Sequence, residues 1–220
     1  MSRSRITMPS AESKTAGEDV EPRYEFRIWA PSLAEVRERL ERFSGPQPAA
    51  QSRETYIVSD ATDDTNAKIR AGAMDIKVLM RAEQNLEQWN PYLKAQFPID
   101  AKVLAEKIFP ALRVDPPHGL LASRQQLFTA EAFVDTVVKS HPRLAAVELG
   151  KMRRRYALGV SAAEFVEVEI GGRVVHSVAV ESANPRAVLD AMGELAIGGY
   201  PNISYVRQIK SMLKSVLGRG

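Results

Sequence analysis

The sequence predicts an α+β fold: an eight-stranded antiparallel β-barrel with surrounding helices. Three observations carry that expectation. Polar and apolar residues alternate at period two in stretches spread along the chain, the pattern of strands with one wet and one dry face. The clearest stretch, Ala163 to Ser182, alternates on both sides of Gly171-Gly172, so it reads as two strands joined by a tight two-residue turn. Segments with apolar residues at helical spacing lie between strands, and eight strands are enough to close a small barrel.

The polar, aperiodic start, residues 1–21, reads as a disordered tail and leaves one domain over 22–217. Arg23 to Ala30 is the first strand, with Arg23, Glu25 and Arg27 on one face and Tyr24, Phe26 and Ile28 on the other. Ser32 and Glu35 form a capping-box pattern ahead of a helix over Leu33 to Phe43, which Gly45 and two prolines stop. A second strand over Arg53 to Val58 precedes a hairpin in which Lys68 shares a face with Arg70, and Asp75 with Lys77. From Leu86 to Ile99 the pattern is ambiguous, since Asn90-Pro91 would break a helix whereas a bent edge strand tolerates it. Helices are expected over Asp100 to Leu112 and Thr129 to Val138. A long strand begins near Arg143, passes through Arg153-Arg154-Arg155 and turns at Gly159 into the hairpin. Helical patterns over Pro185 to Ala196 and Ser204 to Leu217 close the chain.

Composition narrows the function classes. The 220 residues contain no cysteine, which excludes disulfides, thiol nucleophiles and cysteine zinc sites. No apolar run reaches the roughly 18 residues of a membrane span, and the start has no signal-like apolar core, so a cytoplasmic protein is expected. A net charge of +3 is too small to argue for nucleic acid. Gly171-Gly172 belongs to a hairpin, and no G-x-x-x-x-G-K-[ST] stretch follows a strand. His176 falls on an apolar face and reads as a packed histidine. Trp29, Trp89, Tyr24 and Phe26 read as core, and Arg207, Lys210 and Lys214 as the solvated side of the last helix.

Charge is concentrated on the less apolar strand faces. In the hairpin, Glu167 and Glu169 share a face with Phe165, while Ser177, Ala179 and Glu181 lie opposite the face of Val174, His176, Val178 and Val180. With Arg23, Glu25, Arg27, Lys68, Arg70, Asp75, Lys77, Arg153 and Arg155, two arrangements are open. These residues form either the wet side of an antiparallel sheet or the lining of a barrel. An empty lining with so many cations is electrostatically unfavourable, and a polyanion would relieve it, with acids at one side holding a divalent metal.

The order of these elements resembles the CYTH superfamily, the triphosphate tunnel metalloenzymes. The resemblance covers roughly Arg23 to Leu213: a charged first strand, a K-x-R strand at Lys68 and Arg70, a strand with Lys77, an Arg-rich long strand, an acidic hairpin and closing V-E-S-A-N-P and N-x-S-Y stretches. It implies a tunnel of eight antiparallel strands that binds a triphosphate-containing small molecule or polyphosphate. On this resemblance Arg27, Lys68, Arg70, Lys77, Arg153 and Arg155 bind phosphate, with Arg154 an alternative if the register slips by one. Glu25 and Glu181 would hold Mg2+ or Mn2+, with Glu167 and Glu169 supplying further ligands because they are spaced on one face near Glu181. No catalytic residue is singled out.

Two positions depart from the family pattern. The opening Glu-x-Glu-x-Lys reads Arg23, Glu25, Arg27, and the final Glu-x-Glu reads Ala179, Val180, Glu181. Each lost carboxylate weakens the claim on a metal that would polarise the anhydride. The expected function is therefore a divalent-metal-dependent phosphohydrolase of triphosphatase type with reduced activity, or a polyphosphate- or nucleotide-binding module that keeps the tunnel without turnover. A helix-covered sheet with a merely wet face is the remaining reading, and cyclase or polymerase chemistry is compatible with the same architecture.

Overall fold

The computed structural model describes residues 21–120 and 126–217. Apart from Glu21, the expected tail lies outside the described residues. The strands are β1 (Arg23–Ala30), β2 (Ala50–Ser59), β3 (Thr65–Arg70), β4 (Ala73–Glu83), β5 (Leu86–Gln96), the short β6 (Ile99–Asp100) and β7 (Leu127–Phe128), β8 (Leu144–Leu158), β9 (Ser161–Ile170) and β10 (Arg173–Ser182). The helices are α1 (Ala34–Ser44), α2 (101–112), α3 (130–138), α4 (Pro185–Glu194) and α5 (Tyr205–Leu217). α2 and α3 each contain a wider π turn, over Leu104–Ile108 and Phe133–Val138.

Eight strands close into an antiparallel barrel in the order β1-β10-β9-β8-β2-β3-β4-β5, and β6 pairs with β7 outside it. Gly171 and Gly172 both take positive φ, +56° and +75°, which the two-residue turn between β9 and β10 requires and which other residues adopt only under strain. That turn sets Ile170 opposite Arg173 and fixes the whole β9–β10 register.

The outer wall is dry where helices cover it. α1 and α4 lay Leu33, Val36, Leu40 and Val188 over Phe26, Ile28, Phe165, Val178 and Val180. α2 and α3 lay Leu104, Ile108, Phe109 and Phe133 over Ile69, Met74, Ile76 and Leu93. Full burial of side chains such as Phe26, Ile28 and Leu40 contributes roughly 1.5–3 kcal/mol each.

A third apolar cluster lies inside the barrel. Tyr205, Val206 and Ile209 of α5 pack on Tyr56, Val58, Leu149, Val166, Val168 and Ile170 from the inward faces of β2, β8 and β9. α5 thus fills one end. Its path follows from a gap in the wall, because β1 pairs with β5 only over Arg23–Glu25. Beyond that, Asn202 and Ile203 satisfy the β1 backbone. The Arg27 N–H donates to Asn202 Oδ1 at 2.9 Å, Asn202 Nδ2 donates to the carbonyls of Glu25 and Asn85 at 3.2 and 2.8 Å, and the Ile203 N–H donates to the Arg27 carbonyl at 2.8 Å.

Three expectations change. α1 starts from Leu33 with no side-chain cap, because the burial of Leu33 at 2% exposure positions the chain and Ser32 stays exposed. β5 is not an edge strand: it pairs with both β4 and β1. Pro91 is tolerated because it lies beyond the β1 ladder and next to a register shift opposite Ile76 and Lys77. The last helix is anchored rather than merely solvated, with Arg207 paired to Glu87 and Lys210 donating to the Thr62 carbonyl at 2.8 Å.

Candidate functional site

At the end away from α5 the inward side chains enclose a cavity of about 480 Å3. Period two along each strand aims Glu25 and Arg27 of β1, Lys68 and Arg70 of β3, Asp75 and Lys77 of β4, and Lys151, Arg153 and Arg155 of β8 into it. All six sequence-identified cations, Arg27, Lys68, Arg70, Lys77, Arg153 and Arg155, therefore converge. The alternative register is excluded, since Arg154 points outward and donates to Glu167 at 3.1 Å.

Of the four proposed acids, Glu25 and Glu181 line the cavity, and they are directly opposed in the β1–β10 ladder. Glu167 and Glu169 do not line it. They belong to the outer face with Phe165, whose ring is buried beneath α1 and α4. The acid that β9 turns inward is Glu164. The expectation that Glu167 and Glu169 face the lining fails because β9 turns Val166, Val168 and Ile170 inward, where α5 makes the interior apolar. The hairpin register carried the signal: counting back from Gly171-Gly172 sets Glu164 opposite Ala179, on the same face as Glu181.

Glu164 organises the floor of the cavity with Arg27. The Arg27 guanidinium is 4% exposed as a residue and donates from Nη2 to Glu164 Oε1 at 3.0 Å, from Nε to Glu25 Oε1 at 2.8 Å and from Nη1 to Ser177 Oγ at 3.1 Å. Arg27 and Glu164 both face Ala179 across the ladders, and its small side chain lets them meet over it. Arg153 Nε is 3.0 Å from Glu164 Oε2. Burial alone would raise the Glu164 pKa, but Arg27 and then Arg153 hold it down at about 2.

A second buried carboxylate, Glu54 of β2, was not singled out from sequence. It lies behind the cations, with Lys151 at 2.8 Å, Arg153 at 3.4 Å, Arg70 at 3.6 Å and Lys68 at 3.7 Å. Burial opposes its charge, yet Lys68, Lys151 and Arg153 hold its pKa at about 2. Lys151 was missed too. Its ammonium has no solvent exposure, donates to Glu54 Oε2 and to the Tyr56 hydroxyl at 2.8 Å each, and sits 3.7 Å from the Tyr205 ring centroid. Burial dominates over the attraction of Glu54 and brings its pKa down to about 7. Tyr205 also carries the Arg27 guanidinium at 4.5 Å, and burial pushes its hydroxyl well above the ordinary tyrosine range.

The carboxylates do not fit a divalent cation. Mg2+ and Mn2+ take several free oxygen donors. Here Glu25 is bound by Arg27, Glu181 by Arg23 Nη1 at 3.2 Å, and Glu164 by Arg27 and Arg153. Among the described residues no three His, Cys, Asp or Glu side chains are grouped to hold a metal. The arrangement instead offers an enclosed set of hydrogen-bond donors with an excess of positive charge.

No protein-family model matches the chain, and no curated protein matches it. Solved structures similar to it include a candidate adenylate cyclase from Bacillus halodurans, 10% identical, with a TM-score of 0.49 over 84% of this chain and 95% of that one. Another is a candidate adenylyl cyclase from Hippeastrum described as having a dominant triphosphatase activity, 14% identical, with a TM-score of 0.46 over 86% of this chain and 96% of that one. A conserved hypothetical protein from Pyrococcus furiosus is 14% identical, with a TM-score of 0.45 over 84% and 98%. Among the described residues no helix is long and apolar enough to cross a membrane.

Proposed function

We propose that this chain binds the phosphate chain of a triphosphate-containing small molecule, or of polyphosphate, inside the barrel. The observation that supports this reading is convergence: seven cationic side chains and four carboxylates line one cavity, and they come from strands spread around the wall. An extended anion with oxygens along its length can accept from Arg27, Lys68, Arg70, Lys77, Arg153 and Arg155 at once. Guanidinium forks and ammonium groups give charge-assisted bonds to phosphate oxygens, stronger than neutral ones. Isothermal titration with inorganic tripolyphosphate tests the reading. Binding that weakens by about tenfold or more in Lys68→Ala and in Arg70→Ala is expected, since each variant removes one charged hydrogen bond of roughly 1.5–3 kcal/mol. Equal affinity in wild type and both variants would remove these residues from the site.

A phosphohydrolase reading has one observation in its favour: Lys151 lines the cavity floor, where burial brings its pKa down to about 7. A group poised near pH 7 is suited to moving a proton to or from an attacking water. Phosphate release from tripolyphosphate or ATP, lost in Lys151→Met while binding is retained, would support turnover. Binding without release in the wild type would leave a binding module.

A further inference from the structure

We propose that the cavity takes its phosphate chain without a divalent cation, the guanidinium groups of Arg27 and Arg23, paired to Glu25 and Glu181, standing where metal charge would otherwise be needed. This rests on the phosphate-chain reading and names the ionic form of the ligand: the free polyanion rather than its metal complex.

The geometry leaves little for a metal to hold. Glu25 and Glu181, cross-strand neighbours at the open end, are bound by Arg27 at 2.8 Å and by Arg23 at 3.2 Å. Arg27 is 4% exposed and also holds Glu164 at 3.0 Å, so it cannot swing away without leaving its own charge uncompensated in a desolvated place and Glu164 with Arg153 alone. A divalent ion placed between Glu25 and Glu181 would sit beside two guanidinium groups at hydrogen-bond range of the same carboxylates, where repulsion opposes it. The position across from Glu164 is Ala179, which has no donor atom to offer.

The same residues provide what a metal provides for a polyphosphate. Metal ions neutralise adjacent phosphate oxygens and fix their orientation. Arg27, Arg153 and Arg155, with Lys68, Arg70 and Lys77, supply positive charge along the cavity, while Glu54 and Glu164 keep those cations in place when no anion is bound. Because metal-complexed tripolyphosphate carries less negative charge, Mg2+ in solution competes for the ligand instead of assisting its binding.

Isothermal titration and thermal shift with tripolyphosphate, each in EDTA and in Mg2+ or Mn2+, test this on the full chain. The expected result is binding in EDTA at least as tight as with metal, with the melting temperature raised to the same extent or more. Arg23→Glu, at a half-exposed side chain, is expected to weaken binding in EDTA by about tenfold or more and to gain affinity when Mn2+ is added. Binding to the wild type only in the presence of metal overturns the metal-free proposal and leaves the phosphate-chain reading standing. No binding in either condition overturns the phosphate-chain reading and this proposal with it. An Arg23→Glu variant that matches the wild type in both conditions removes Arg23 from the metal's place.

Discussion

Glu54 and Lys151 meet at 2.8 Å with neither side chain exposed, and three further cations lie within 3.7 Å of the same carboxylate. Glu54 is therefore the counter-charge that allows the cations to be stored inside the barrel. Replacing it by Gln should destabilise the fold by about 3–5 kcal/mol at pH 6, since a buried charge left unpaired is expensive. Urea unfolding measures this. Saturating tripolyphosphate should recover part of the loss, because a bound anion takes over the neutralisation. A variant as stable as the wild type would mean the cations do not depend on Glu54.

The lysine of that pair sets a pH dependence of the same sign as a depressed carboxylate's, but in a higher pH window. In the unfolded chain Lys151 holds its proton to about pH 10.4, and in the fold only to about 7. Across that window the unfolded state binds more protons, so stability rises with pH. The wild type should gain in urea midpoint between pH 7 and 9 relative to Lys151→Met. A flat difference between the two would show that Lys151 stays charged.

How much of this was legible in the sequence depends on which local rule governed each residue. Seven of the eight barrel strands follow from period two, β5 being ambiguous at Asn90-Pro91, and the six cations follow from the same alternation applied strand by strand. Pairing across the hairpin was equally legible, because Gly171-Gly172 fixes it, yet Glu164 was missed when apolarity was used to decide which face was inside. That rule fails where a helix enters the barrel and makes the interior apolar. Period two from Arg153 sets Lys151 on the inward face, but nothing local marks it or Glu54 as buried, since their environment is assembled from β2, β3 and β8. The V-E-S-A-N-P and N-x-S-Y stretches have structural work in this fold: Asn184 caps α4 by accepting from the Arg186 N–H at 2.9 Å, and Asn202 closes the gap between β1 and β5.

Acid should unfold the protein through Glu54 and Glu164. Both pKa values are held at about 2, below the ordinary glutamate value near 4.3. Depressed carboxylates contribute stability that is present above the unfolded pKa and lost as pH falls toward the folded one, at up to about 1.4 kcal/mol per pH unit for each group. The stability of the wild type should therefore fall between about pH 4.3 and pH 2, and the slope should be shallower in Glu164→Gln. Identical slopes would show that Glu164 titrates normally.

Tyr205 separates the contribution of a ring from that of its hydroxyl. The ring meets Trp29 edge-on at 4.9 Å, stacks on Tyr56 at 5.4 Å, and carries Arg27 and Lys151 on its faces. The hydroxyl is buried without a hydrogen-bond partner among the described residues. Tyr205→Ala should thus cost about 3–5 kcal/mol by opening a cavity between α5 and the cation cluster. Tyr205→Phe should be neutral or slightly stabilising, because removing an unsatisfied buried hydroxyl relieves its desolvation. Chemical unfolding of the two variants decides this. A large loss in Tyr205→Phe would mean that the hydroxyl is engaged, and the α5 plug would then be held by a polar contact rather than by the ring.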